Sequence, residues 1–259
     1  MDLSEIPAGT FARHPWEVPR AQFFGAQLRG LVTAGRPLSV LDVGAGDGFL
    51  ADRVARELPG GSQVVCYDPL YTEAFMQRAR ETIGDRCSFT RERPSARFDA
   101  LLLLDVLEHV EHDRELLTDL VENSLVSGGH ALLSVPAHAA LFTRHDISLG
   151  HYRRYSADRL RTLARNSGLE VVRGNGLFLS LLPLRMLQKV GEIAQGQRSV
   201  PAVNGPATGD TALGKWGGGA VLSALVTGLL RGDAVLSSGA ASLGVALPGL
   251  SVWVLARKP

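Results

Sequence analysis

Cysteine is scarce in this sequence, with only Cys66 and Cys87 among 259 residues. Two cysteines supply neither the disulfide framework of a small secreted domain nor a four-cysteine zinc site. Both fall in apolar segments that predict buried strands, so we expect two reduced thiols in a core. The N-terminus carries early acidic residues and lacks the apolar run of a secretory signal, which predicts a cytoplasmic protein.

An excess of positive charge is also missing. Lys and Arg total 27 against 26 for Asp and Glu, a formal net charge of +1. Proteins that bind nucleic acid by neutralising phosphates usually carry a basic excess. We therefore expect no nucleic-acid partner, and an RNA-modifying role is disfavoured for the same reason.

Strand-like and helix-like segments alternate along most of the chain. Apolar runs such as LSVLDV, SQVVCYD and FDALLLLD are followed by amphipathic segments. This order is typical of βαβ units, which build a parallel sheet with helices on both faces. The pattern also predicts a helix over residues 17–33, and another over DRELLTDLVENSL that ends at Gly128-Gly129.

Composition divides the chain into three parts. Residues 1–37 predict an N-terminal helical lid, residues 38–176 with 249–259 an α/β core, and residues 177–248 an apolar helical insertion that includes a loop over 196–219. The insertion could bind a hydrophobic substrate or contact a membrane surface. We favour lid helices that pack on the sheet or across a homodimer interface. The oligomeric states that remain possible are a monomer and a homodimer. The charge-free run 234–256 contains glycines, Pro248 and a strand-like end, so we expect no transmembrane segment.

A glycine loop provides the strongest local signal. Asp42-Val43-Gly44-Ala45-Gly46-Asp47-Gly48 directly follows a predicted strand and precedes a predicted helix. Glycines there permit a tight turn and let a ligand approach backbone N–H groups at a helix N-terminus. A dinucleotide loop reads GxGxxG, whereas here the third glycine comes one residue early and Phe49 stands where Gly or Ala belongs. Asp42 would favour a cationic ligand group over a pyrophosphate.

Three acids follow or end three predicted strands: Asp42, Asp68 and Asp105. A carboxylate at the position of Asp68 can accept hydrogen bonds from two ribose hydroxyls. Asp105 alone would also suit a helix N-cap. Because the carboxyl ends of parallel strands meet at one edge of a sheet, the three together predict a ligand site there.

The motifs DVGAGDG at 42–48, Asp68 after the second strand and DVLEHV at 105–110 resemble the class I S-adenosylmethionine-dependent methyltransferases. The segment HD…GHYRRYS further resembles a subgroup related to the ubiquinone- and menaquinone-type enzymes. The resemblance implies a Rossmann-like α/β fold. Its seven-stranded sheet is mostly parallel, and the antiparallel last strand lies between strands five and six.

The resemblance also implies that the cofactor is S-adenosylmethionine, that the product is S-adenosylhomocysteine, and which residues bind the cofactor. The glycine loop would approach the methionine part, Asp42 the amino group and Asp68 the ribose, while Asp105 begins a turn under the methionyl end. Arg20 could pair with the cofactor carboxylate. Glu92 is the acid nearest to the place where the family reads adenine. The residues implied to bind the cofactor are Asp42, Gly44, Ala45, Gly46, Asp68, Pro69, Leu70, Asp105, Val106, Leu107 and Arg20.

The segment 136–155 should roof the acceptor pocket, and three interpretations of it stay open. A histidine could act as general base, paired arginines could clamp an anionic group, or the segment could be a structural clasp with packed tyrosines. His109 could likewise be a base or a packing residue. The candidate catalytic residues are His109, His145 and His151, and the candidate substrate residues are Tyr152, Arg153, Arg154 and Tyr155.

Taken with the resemblance, these residues predict methyl transfer to oxygen, nitrogen or carbon of a small or amphipathic acceptor. The spacing of His138, His145, Asp146 and His151 is that of a loop, so we expect no metal site. Two alternatives remain. The chain could be an NAD-type oxidoreductase, or a non-catalytic partner subunit that binds the cofactor and transfers no methyl group.

Overall fold

A seven-stranded sheet forms the centre of the computed structural model, which describes residues 13–32, 35–194 and 217–259. The strand order is β3-β2-β1-β4-β5-β7-β6. Strands β1 to β5 pair in parallel, and β7 lies antiparallel between β5 and β6. The predicted fold class is thereby confirmed. The strands are β1 Ser39–Val43, β2 Gln63–Tyr67, β3 Cys87–Thr90, β4 Phe98–Leu104, β5 Leu125–Pro136, β6 Glu170–Leu177 and β7 Ser251–Arg257.

Helices cover both faces of this sheet, as the alternating pattern predicts. The helices are α1 Glu17–Arg29, α2 Phe49–Glu57, α3 Glu73–Thr82, α4 Asp113–Ser124, α5 Arg144–Ser148, α6 Ala157–Asn166, α7 Leu182–Ala194 and α8 Ala220–Ser242. One core layer lies under α1, α2, α3 and α8 and includes the buried Trp253. The other lies under α4 and α6. Cys66 and Cys87 are both buried and free, as expected.

Two predicted helix ends are wrong. Helix α4 stops at Ser124, and Gly128 and Gly129 lie inside strand β5. Gly128 has a φ of +78°, and the pairing of β4 with β5 shifts register nearby, so the glycines serve a strand irregularity and do not end a helix. Helix α1 ends at Arg29, four residues before the predicted end.

The insertion contains α7 and α8. Helix α8 extends into the charge-free run that begins at residue 234 and includes the charged residues Arg231 and Asp233. Both have partners on the neighbouring core: Arg231 donates to Gln22 at 3.0 Å, and Asp233 accepts from the backbone of Ser180 at 2.8 Å. The predicted loop 196–219 lies mostly outside the described residues. The division into lid, core and insertion stays a prediction.

Helix α8 is long and apolar enough to cross a membrane, with a mean hydropathy of 1.4 and 22% of its most apolar window buried. Part of one side is bound to the core through Ser237, whose hydroxyl donates to the carbonyl of Gly176 at 2.6 Å and accepts from the indole of Trp253 at 2.9 Å. The absence of a transmembrane segment therefore stays a prediction.

Candidate functional site

The glycine loop between β1 and α2 folds back on the end of β2. Gly44 and Ala45 both donate their backbone N–H to the carbonyl of Tyr67, at 2.7 Å and 3.3 Å. Gly44 and Gly46 have φ angles of +65° and +55°, a region in which side chains are rarely found. A Cβ on Gly44 would lie 2.8 Å from a methyl group of Val106. The sequence needs glycine here because the loop approaches the turn after β4.

Asp42 is the buried acid of the site, with an exposed fraction of 3%. It lies in β1, two residues after Val40, and so on the side of the sheet that α1 covers. Burial raises its pKa to about 7. A cationic group placed near Asp42 would favour its ionised form.

Asp68 follows β2 and orients the loop around it. One carboxylate oxygen accepts from the backbone of Gly46 at 3.3 Å, and the other accepts from the backbone of Leu70 at 2.9 Å. Pro69 and Leu70 are exposed at this edge, Leu70 to 69%. The carboxylate and the exposed apolar residues are thus presented at the carboxyl end of the sheet. Glu92, the acid nearest to the place where the family reads adenine, is exposed.

Arg20 of α1 and Arg13, which precedes that helix, both lie against this edge. Arg13 Nη1 lies 2.7 Å from a carboxylate oxygen of Asp47 in the glycine loop, and Arg20 Nη2 lies 2.7 Å from Asp105 Oδ2. Asp105 directly follows β4 and has a φ of +61°, an uncommon conformation for a residue with a side chain. These ion pairs therefore join α1 and the residues before it to the glycine loop and to the end of β4.

Leu107–His109 form a short 3-10 turn after Asp105 and Val106. Leu107 packs in the core, whereas Glu108 carries a carboxylate into it with no exposed surface. Burial and the neighbouring Asp105 raise the pKa of Glu108 well above its usual value. This turn brings His109 to the same edge of the sheet.

The segment that follows β5 is bound to that turn. The backbone of Tyr152 donates to the carbonyl of Glu108 at 2.7 Å. The buried hydroxyl of Tyr155 lies 3.0 Å from the carbonyl oxygen of Leu107 and 2.8 Å from a carboxylate oxygen of Asp113. The segment after β5 is therefore held against the turn after β4, which lies more than 40 positions earlier in the chain.

Asp146 connects the parts of this segment. Its buried carboxylate accepts from Arg154 at 2.7 Å and from Arg185 of α7 at 2.7 Å, and it lies 3.1 Å from Nδ1 of His151. Burial alone would raise the pKa of Asp146, but His151, Arg154 and the backbone of Thr143 together lower it. Asp146 is therefore the anionic centre of a buried polar network.

The predicted substrate residues have different environments. Arg154 is buried and donates to Asp146 and to the carbonyl of Ala137 at 3.1 Å, while Arg153 pairs with Asp113 at 2.9 Å. Tyr152 is largely exposed. Because both guanidinium groups and Tyr155 already bind protein acceptors, this geometry favours the structural clasp over an anion clamp.

The three candidate histidines are also distinct. The rings of His109 and His151 meet edge to face, with centroids 4.6 Å apart. His145 precedes Asp146 on α5, and burial together with Arg185 lowers its pKa to about 4. His145 is therefore neutral near pH 7 and a weak base. The structure brings His109 and His151 together and leaves His145 in the network around Asp146.

Sequence reasoning missed several residues of this site: Arg13, Glu108, Asp146 as a network centre, and Arg185. The signal for Asp146 was its place at the third position of a helix after Thr143, a capping box that the structure shows. Arg185 gave no signal, because its partner lies 39 positions away.

A family model described as a methyltransferase domain matches residues 20–173. An uncharacterized methyltransferase of Mycobacterium bovis is 36% identical over 114 residues, which is 43% of this chain and 56% of that protein. The chain thus spans little more than half the length of this relative.

Two solved structures share the fold. The [4+2]-cyclase SpnF superposes with a TM-score of 0.53 at 18% identity and covers 91% of this chain and 80% of its own. An S-adenosylmethionine-dependent methyltransferase from Mesorhizobium loti superposes with a TM-score of 0.50 at 15% identity and covers 90% of this chain and 96% of its own. At these identities the likeness shows the fold alone.

Proposed function

The chain belongs to the methyltransferase domain family, and we propose that it transfers a methyl group from S-adenosylmethionine to an oxygen, nitrogen or carbon atom of a small or amphipathic acceptor. One observation carries the proposal. The glycine loop, with Gly44 and Gly46 at positive φ, lies between the carboxylates of Asp42 and Asp68 at the carboxyl ends of β1 and β2.

The residues present fit this cofactor. Asp42 offers a buried carboxylate for a cationic amino group, and Asp68 offers two carboxylate oxygens for vicinal hydroxyls. Arg20 offers a guanidinium for a carboxylate, beside Asp105 Oδ1, which is buried and has no hydrogen-bond partner among the residues that the structure describes. Leu70 offers apolar surface for a base. This donor set suits an amino-acid nucleoside better than a dinucleotide.

The protein's own task in this reaction is alignment. The bound cofactor would supply an electrophilic methyl group on a sulfonium. The chain holds the acceptor in line by its rigid turn after β4, which Tyr152 and Tyr155 fix from the other side. Alignment of this kind lowers the activation free energy by up to roughly 7–11 kcal/mol. We propose that His109 and His151 contact the acceptor, whereas His145, whose pKa is lowered to about 4, is a weak base.

Apolar exposed surface supports an amphipathic acceptor. Helix α7 exposes Leu184, Leu187 and Val190, and α8 exposes Leu225 and Leu236. We propose that a hydrophobic acceptor, or a membrane surface that carries it, meets these helices in the cytoplasm. Fractionation with vesicle co-sedimentation tests this part, since recovery only in the soluble fraction would remove the membrane contact.

Calorimetric titration with S-adenosylmethionine, S-adenosylhomocysteine and NAD tests the cofactor. We expect micromolar affinity for both sulfur compounds and none for NAD; the reverse would overturn the proposal and favour an oxidoreductase. Binding without any acceptor conversion across hydroxyl, amine and quinol panels, followed by mass spectrometry, would identify a non-catalytic subunit.

A further inference from the structure

Two segments far apart in the chain bring three potential metal ligands to one point. Glu108 and His109 come from the turn after β4, and His151 comes from the segment after α5. One ligand atom from each lies within 4.8 Å of the other two. We propose that Glu108, His109 and His151 bind one divalent transition-metal ion. Two imidazoles and one carboxylate are the donor set of zinc, iron and related ions.

The carboxylate of Glu108 is the first argument. It has no exposed surface, and both of its oxygens lack a hydrogen-bond partner among the residues that the structure describes. Buried polar atoms are nearly always paired, because an unpaired one costs free energy. A cation held between Glu108 and the two histidines supplies the missing partner.

The support of His151 is the second argument. Its Nδ1 lies 3.1 Å from Asp146, whose carboxylate is fixed by Arg154 and Arg185. Metal-binding histidines usually donate their second ring N–H to a carboxylate, which orients the ring. This contact leaves Nε2 of His151 as the ligand atom.

The backbone hydrogen bond across the proposed metal site is the third argument. The hydrogen bond of 2.7 Å from the backbone of Tyr152 to the carbonyl of Glu108 joins the neighbour of one ligand residue, His151, to another ligand residue. The separation of His151 from the turn at 107–109 is therefore set by the backbone. A preformed site of this kind loses little conformational entropy when an ion binds.

The consequence concerns the acceptor, and it rests on the proposed function. Three protein ligands leave at least one coordination position for an outside atom. An acceptor hydroxyl bound there would be oriented and would have a lowered pKa. The metal would thus select oxygen acceptors, and the hydroxyl would lose its proton to water before transfer, so that no histidine would need to act as general base.

The test is metal binding by the full chain after dialysis against a chelator. Titration with Zn²⁺ by calorimetry, and with Co²⁺ by visible absorption, should show one equivalent and a spectrum of nitrogen and oxygen ligation. His109→Ala and His151→Ala should each weaken binding by more than about tenfold. His112→Ala is the matched control: it lies beside the site but is exposed, and it should leave affinity unchanged.

Glu108→Gln separates a ligand from a packing residue. It should weaken Zn²⁺ binding while leaving the melting temperature of the metal-free protein equal or higher, because a buried, unpartnered carboxylate is removed. Unchanged metal affinity in this variant, or binding abolished by His112→Ala alone, would overturn the proposed site. Cofactor calorimetry on the same samples is independent. If the protein binds S-adenosylmethionine but not Zn²⁺, only the metal site is refuted. If it binds Zn²⁺ but not S-adenosylmethionine, only the proposed function is refuted.

Discussion

Arg20 of α1 and Asp105 at the end of β4 form an ion pair of 2.7 Å. Arg20 is largely buried, and the pair joins a helix that precedes the sheet to the strand at its centre. The residue that we expected to meet a cofactor carboxylate thus already contacts an acid of the same edge. A bound anion would share or take over this guanidinium.

Replacement of Arg20 by alanine should therefore weaken S-adenosylmethionine binding. A hydrogen bond to a charged group contributes about 1.5–3 kcal/mol, so we expect Kd to rise by roughly tenfold or more. Calorimetry measures this. Arg29→Ala, on the exposed end of the same helix, is the control and should change Kd little. Equal effects of both variants would mean that Arg20 acts only through helix stability.

Asp68→Ala should weaken cofactor binding by at least about tenfold, because the ribose hydroxyls lose a charged acceptor. The matched control is Asp52→Ala on α2, where the carboxylate pairs with Arg56. Circular dichroism should show both variants folded. Unchanged affinity in Asp68→Ala would show that the ribose assignment is wrong.

Binding of S-adenosylmethionine should depend on pH through Asp42. Its pKa of about 7 means that most of it is protonated at pH 6. A cationic amino group favours the ionised form, so binding releases a proton and affinity rises with pH. Kd should fall by at most about tenfold per pH unit between pH 5.5 and 7, and it should be constant above that range.

The control for this dependence is Asp42→Asn, which should bind weakly with little pH dependence in that range. Calorimetry in buffers of different ionisation enthalpy counts the released proton directly. An identical pH profile in the wild type and Asp42→Asn would assign the titration to another group.

Gly44→Ala should lower both stability and cofactor affinity. Gly44 has a φ of +65°, and a Cβ there would lie 2.8 Å from Val106. We expect a loss of about 1–3 kcal/mol in the free energy of unfolding. Gly60→Ala has no atom within 4 Å of its Cβ and serves as control. Comparable melting temperatures for the two variants would contradict the close approach of the two loops.

Asp146→Asn should destabilise the fold by about 3–5 kcal/mol, because Arg154 and Arg185 would lose a buried partner. The pKa of Asp146 is lowered, so its contribution is complete above the ordinary Asp pKa near 4 and is lost as pH falls further. Urea unfolding between pH 3 and 7 measures both effects. Asp158→Asn, which is exposed, should behave like the wild type.

Much of this architecture could be predicted from local signals. Alternating apolar runs and the glycine loop predicted the sheet, because strand period and turn chemistry are properties of neighbouring residues. The position of Asp68 after β2 followed from the same pattern. Gly128 and Gly129 misled the prediction, since a glycine that ends a helix and one that allows a strand irregularity look alike in sequence.

The polar network could not be predicted. Asp146 meets Arg185 and His151 meets Glu108 only after several elements have packed, and no local pattern records such pairs. The spacing of His138, His145, Asp146 and His151 predicts a loop without metal, because the other two ligands of the proposed site, Glu108 and His109, lie more than 40 positions before His151. Long-range juxtaposition, and not residue type, is what the sequence conceals.

Strand β7 has a consequence for synthesis of the protein. It separates β5 from β6 in the sheet, yet residues 178–250 lie between β6 and β7 in the chain. Until Ser251–Arg257 have left the ribosome, β5 and β6 each expose an unpaired edge to other nascent chains. The sheet should therefore close late and slowly, because its decisive pairing has a large sequence separation. Yield in cells should then depend on chaperones that shield these edges until β7 pairs with them.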